Sequence, residues 1–325
     1  MRLILLLGVL LAAALALSVA FGETGLTLAQ YADAVARPGS PAAEILFGIR
    51  APRACAAALV GAALGLAGAV MQGLLRNPLA EPGVLGVSAW SGCAAALAIV
   101  LGLGAAPGAV EAAALAGALA AGAVVALLAA RFREPETLIL FGVALAALGG
   151  AMTALIFNLS PSPITLAEVL AWLQGSVANR DWSDLAWALP PMALGAGLCA
   201  YAAGGLRMLT LGDETAALSG LPMARLRVAA VAGAALLTGA SVAMAGVIGF
   251  VGLAAPHLVR GAASDDPART LAPSAIAGAI LLTLADLLAR VIPSETELRL
   301  GVVTALFGAP LFALVAWRAA RSWRA

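Results

Sequence analysis

The chain is 325 residues long, 63% hydrophobic and only 11% charged, with a mean hydropathy of +1.03 and a formal net charge of +1. Soluble domains run at roughly 45–50% apolar and about 25% charged residues, so a soluble fold is excluded and a polytopic membrane protein is indicated. All 18 basic residues are arginine, which removes the lysine a Walker-type loop needs to reach the β- and γ-phosphates.

No basic run marks a nucleic-acid surface. One histidine and three cysteines, the latter in Ala/Gly/Leu surroundings, do not make a structural zinc site or a disulfide framework. Cys55, Cys93 and Cys199 read as small buried hydrophobes.

A spanning helix needs about 20 mostly apolar residues. In chain order this predicts spans at Leu3–Phe21, Ala54–Gln72, Ser88–Gly104, Val110–Ala130 and Leu138–Leu159. Five more follow at Leu185–Leu206, Val228–Phe250, Val251–Ala263, Leu271–Val291 and Leu300–Trp317. The fold class is therefore an all-α membrane protein of about ten transmembrane helices. Ser18-Val19-Ala20 resembles a cleavage site, but a single preceding arginine and a long apolar run favour a retained first helix. With the N-terminus inside, arginines 2, 76, 131, 133, 207, 225, 227, 260, 269, 318, 321 and 324 face the cytoplasm. Arginines 37, 50, 53, 180, 290 and 299 face out. That bias places both termini in the cytoplasm.

Glycine-rich helices, such as the second span with Gly61, Gly65 and Gly68, suit close helix packing in lipid. That span runs into Asn77-Pro78-Leu79-Ala80-Glu81-Pro82, and five spans later a similar helix runs into Gly252-Leu253-Ala254-Ala255-Pro256-His257. An odd offset of this kind is the mark of an inverted repeat.

Several stretches are more specific than composition requires: Arg50-Ala51-Pro52-Arg53; Met71 through Gly83; Trp172-Leu173-Gln174-Gly175-Ser176; and Leu211-Gly212-Asp213-Glu214 with Leu218-Ser219-Gly220. To these add Gly249 to Leu253 with Pro256 to Arg260, Leu284 to Arg290, Glu297-Leu298, Gly301 to Thr304, and Gly308-Ala309-Pro310. Together, and in this order, they resemble the permease subunits of ATP-binding-cassette importers for iron-siderophore chelates, haem and cobalamin, over essentially the whole chain. The resemblance implies one transmembrane permease domain (residues 1–325) with the type II importer fold, in the bacterial inner membrane. It implies a homodimer or close heterodimer, an external substrate-binding protein, and two ATPase subunits that carry ATP and Mg. The chain itself would hold no cofactor, metal or catalytic residue. Two positions depart from the family pattern: Arg299 stands where proline is usual, and Glu81 where aspartate is common.

By the same resemblance, Arg50, Arg53 and Arg290 dock acidic residues of the binding protein, which a planar guanidinium can take bidentately. The alternatives are snorkelling at the interface and, for Arg290, pairing with Asp286 four residues earlier; docking is the favoured reading. Asn77 and Leu79, with the Glu134–Thr137 connection, correspond to the cytoplasmic gate. The longest cytoplasmic loop, Arg207 to Arg227, predicts two short helices. In it Leu211, Gly212, Asp213, Glu214, Leu218, Gly220 and Leu221 correspond to the ATPase contact, with Leu218 and Leu221 as apolar anchors and Asp213 and Glu214 at the groove rim. His257 reads as structural near that contact, Glu168, Trp172 and Arg180 as external residues that face substrate or anchor at the interface, and Glu111 as a helix cap. The rival reading is an ion-coupled secondary transporter. It needs ionisable residues at mid-membrane, whereas the charges here fall at helix ends. No HExxH or GxSxG motif suggests an enzyme.

Overall fold

The computed structural model describes residues 2–22, 24–132, 134–263, 266–292 and 297–322. Arg133 and Arg324 of the orientation count lie outside the described residues, as do the side chains of Arg318 and Arg321. Among the described residues the chain is all helical: α1 Arg2–Ala20, α2 Leu28–Ala36, α3 Pro41–Leu75, α4 Val87–Val100, α5 Ala109–Arg131, α6 Pro135–Asn158 and α7 Pro163–Leu173. There follow α8 Trp182–Leu209, α9 Asp213–Leu218, α10 Met223–Ala245, α11 Val251–Ala263, α12 Pro267–Val291 and α13 Leu300–Ser322. Seven of these are long and apolar enough to cross a membrane, and α4, α7 and the Leu300–Pro310 part of α13 are shorter apolar helices. Each of the ten predicted spans falls on a helix. The short helices α2 and α7 were not among them, because neither has the length of a span.

Burial sorts the helices into an inner and an outer set. In α10 and α3 the most apolar windows are 83% and 72% buried, whereas α6 and α1 bury only 17% and 11% of theirs. Large apolar side chains such as Leu5, Val9, Leu127 and Leu140 therefore point outward, as lipid-facing residues do. The inner helices approach closely because they carry glycine at the crossing. A methyl on Gly61 would overlap the carbonyl of Gly278 on α12, and one on Gly68 would overlap that of Gly252 on α11. With no hydrophobic effect between helices in lipid, such close backbone packing supplies the association.

α3 begins irregularly. Residues Glu44–Arg50 are π-helical, with the Ala51 N–H bonded to the Leu46 carbonyl. Pro52 just beyond has no N–H to give, and a π-turn is one way a helix absorbs such a break. The internal echo is visible in the backbone. α3 ends at Arg76 in the left-handed region (φ 48°), and the short α4 restarts after Gly86 (φ 82°). α10 ends at Gly246 (φ 71°), and the short α11 restarts after Phe250 (φ 68°). Cys93 and Cys199 are buried and Cys55 is half-buried, all as free thiols, as the sequence suggested.

Candidate functional site

Two clusters of charged side chains lie at the two ends of α3, whose final 25 residues from Ala51 span roughly 37 Å at 1.5 Å per residue. At its beginning, Arg53 donates from Nε and Nη2 to Asp286 on α12, at 3.0 and 2.7 Å to Oδ1, and from Nη1 to Glu297 Oε2 at 3.1 Å. The other Asp286 oxygen receives Arg290 at 3.1 Å, so the predicted pairing four residues apart is present. Asp286 is fully buried.

Arg290 and Arg50 also finish α1. A helix leaves its last four carbonyls unsatisfied, and these arginines take them up. Arg290 donates to the Ser18 carbonyl at 3.2 Å and to Ser18 Oγ at 2.6 Å. Arg50 donates to the Ala20 carbonyl at 2.7 Å and to that of Thr24. Arg50 and Arg290 are buried and Arg53 is nearly so, because internal carboxylates and helix-end carbonyls reach them first.

At the other end of α3, Arg76 closes the helix, with its own N–H and that of Asn77 both donating to the Gln72 carbonyl. Asn77 then organises the loop: its Oδ1 accepts from the Leu79 N–H at 2.9 Å, and its carbonyl accepts from Ala80 at 3.1 Å. Leu79 is held outward by this turn and is half exposed. Buried Gln72 spans to α11. It accepts from Arg260 at 2.7 Å and places Nε2 near the Gly252 and Leu253 carbonyls. A cavity of about 250 Å³ lies here, lined among others by Arg76, Asn77, Thr210 and Arg260.

Of the two short helices predicted in the Arg207–Arg227 connection one forms, α9, entered by Gly212 (φ 97°) and left by Gly220 (φ 84°); in place of the second, the chain enters the long α10 directly after Pro222. Ala216 is fully buried and seats α9 on the body, while Leu211 and Leu218 stand outward, Leu218 at 90% exposure. Two expected details differ. Leu221 is half-buried against the core rather than presented. Asp213 is turned inward, 3.1 Å from Arg76 and 2.8 Å from Arg227, while Glu214 stays exposed. Arg227 further donates to the Phe132 carbonyl at 2.8 Å.

Of the other residues read from the sequence, Glu111 and Asp184 both pair with Arg180, at 3.3 and 3.4 Å. Glu111 is thus an ion-pair partner as well as an acid in the first turn of α5. His257 is half-buried on α11, and Arg299 supplies the carbonyl that receives Val302 and Val303 at the start of α13, a task that does not require proline. Sequence reasoning missed the roles of Ser18 and Arg227 and, for Asp286, the contact with Arg53 beyond the expected one with Arg290. Asp286 was the one with a signal, since a lone acid inside an apolar helix requires a partner.

Residues 10–318 match the FecCD transport family, and the chain belongs to that family of membrane permeases. It is 39% identical over 327 residues to the vitamin B12 import system permease protein BtuC of Escherichia coli O157:H7 (strain EC4115 / EHEC), covering 98% of this chain and 96% of that one. It is 40% identical over 287 residues to the uncharacterized ABC transporter permease protein YvrB of Bacillus subtilis (strain 168), covering 86% and 81%. Its fold matches a solved structure described as an inward-facing conformation of a metal-chelate type ABC transporter, with TM-score 0.87, 30% identity, and 98% and 99% of the two chains covered.

Proposed function

We propose that this chain is the membrane-spanning subunit of an ATP-driven importer for a metal chelate, with a cobalamin-type chelate ranked ahead of an iron-siderophore or haem. The observation that carries this is the end-to-end likeness to a vitamin B12 import permease, over 98% of the chain. In this reading the chain works as a dimer in the bacterial inner membrane with both termini in the cytoplasm, as the arginine distribution favours. Separate subunits hydrolyse ATP, consistent with a chain that has no lysine. An external binding protein delivers cargo at the face where α3 begins.

The ATPase subunits dock on α9. Two outward leucines, Leu211 just before α9 and Leu218 at its last position, are what an apolar groove would take, and burying one is worth about 2 kcal/mol. Asn77 and Leu79 line the cytoplasmic gate.

The test reconstitutes the chain with its ATPase subunits and binding protein in liposomes and compares uptake of cobalamin, a ferric siderophore and haem. Uptake of a chelate that stops when ATP is withheld is expected. ATP-independent uptake driven by an ion gradient would establish the secondary-transporter reading instead. In the same preparation Leu218→Ala is expected to lose ATPase co-purification, whereas Leu127→Ala, on the lipid-facing side of α5, keeps it.

A further inference from the structure

We propose that Asp213 is a transmission residue, whose carboxylate ties the ATPase-docking helix to both connections at the gate. The proposal rests on the docking role of α9 given above. A helix of six residues has almost no stability of its own, and α9 is bounded at each end by a glycine in the left-handed region. What couples it to the body beyond the seating of Ala216 is the Asp213 side chain.

Each oxygen of that carboxylate has its own guanidinium. Oδ1 meets Arg76 at 3.1 Å and Oδ2 meets Arg227 at 2.8 Å. Arg76 is the residue immediately before Asn77-Pro78-Leu79, so a pull on it acts on the loop that holds Leu79. Arg227 reaches the Phe132 carbonyl at the end of α5, where the connection to α6 begins. One carboxylate therefore joins three segments that lie far apart in the chain.

The two arms differ in burial. The Arg227 side chain is 7% exposed, whereas that of Arg76 is 44% exposed. The first is a fixed anchor; the second lies where water can replace the partner, so it is the arm that can open and close during a cycle.

The backbone points to Arg76 independently. It occupies the left-handed region at φ 48°, the position after a helix that glycine fills at least strain. A side chain kept there against its backbone preference is doing something glycine would not, and here that is the contact with Asp213.

This gives a variant that separates linkage from folding. Arg76→Gly suits the backbone and removes only the side chain. Asp213→Asn removes the charge, and Asp213→Glu keeps it. In the assembled complex with ATPase and binding protein, transport per ATP hydrolysed is measured alongside labelling of Leu79→Cys by a membrane-impermeant maleimide, with and without ATP. Arg76→Gly and Asp213→Asn should keep their ATPase subunits, yet transport per ATP should fall by about tenfold, within the range of ordinary inter-site coupling. The ATP-dependent change in labelling should vanish, and Asp213→Glu should restore part of both. Unchanged transport per ATP and labelling in Arg76→Gly and Asp213→Asn would overturn the proposal. So would loss of the ATPase subunits in Arg76→Gly, which would make the pair part of the docking seat. Failure of the underlying reading shows separately, as ATPase co-purification that survives Leu218→Ala.

Discussion

The two ends of α3 are built from the same parts, arginines facing carboxylates and helix-end carbonyls, yet they are built for different behaviour. At the start, Arg53, Asp286 and Arg290 are closed off from water and joined to the end of α1 through Ser18. At the finish, Arg76 is open to water, Asp213 is half-buried, and Arg227 lies buried behind them. A buried pair holds one geometry because breaking it strands a charge in a poor solvent. A surface pair exchanges partners with water at little cost. One end reads as a clasp and the other as a joint.

The sharpest way to break that contrast is Asp286→Ala, which leaves Arg53 and Arg290 without their shared carboxylate. Removing one partner of a buried pair costs about 3–5 kcal/mol, so thermal unfolding in detergent should show a severe loss of stability. A loss no larger than that of a surface substitution would remove the clasp. Arg227→Ala probes the anchored arm of the joint. Hydrogen bonds to a charged group are worth about 1.5–3 kcal/mol, and a loss in that range is expected from the same unfolding measurement. A change near zero would place Arg227 with the exposed arm instead.

Glu81, on the loop beyond Arg76, gives an effect with a pH signature. Burial pushes its carboxyl from an ordinary 4.5 up to about 7. Below pH 4.5 folded and unfolded chains both hold the proton, so the group changes nothing. Between 4.5 and 7 the unfolded chain releases its proton first and stability falls; above 7 the deficit is constant. Glu81→Gln should therefore unfold at a higher temperature than wild type at pH 8 and at the same temperature near pH 4. An equal difference at both pH values would show that the carboxyl is solvated. The baseline is the Arg37–Asp33 pair, with Arg37 80% exposed. Asp33→Ala should shift stability by under about 1 kcal/mol, as for exposed pairs generally.

The spans were legible because each is a local sum. Leu3 to Phe21 or Val110 to Ala130 announces itself by about 20 consecutive apolar residues, whatever lies elsewhere in the chain. The short helix after Gly212 was legible for a similar reason, as acids opening a helix bounded by glycine. What the arginines at the start of α3 meet was not legible. Arg50-Ala51-Pro52-Arg53 marks a helix end, but nothing within four residues says whether a guanidinium there meets water or a carboxylate. The inward turn of Asp213 was hidden likewise, since its neighbours Gly212 and Glu214 are indistinguishable from those of a surface loop.

By itself, then, the sequence determined that the chain is a bundle of spanning helices, where most of those helices run, and which family it belongs to. The tertiary structure decided which charges meet. Arg53 and Asp286 stand 233 residues apart, and their pairing exists only because glycines at the α3–α12 crossing let those two helices pack backbone to backbone. Hydrophobicity is a property of a segment and can be read one window at a time. The partner of a charge is a property of two helix ends brought together, and only the packed bundle brings them there.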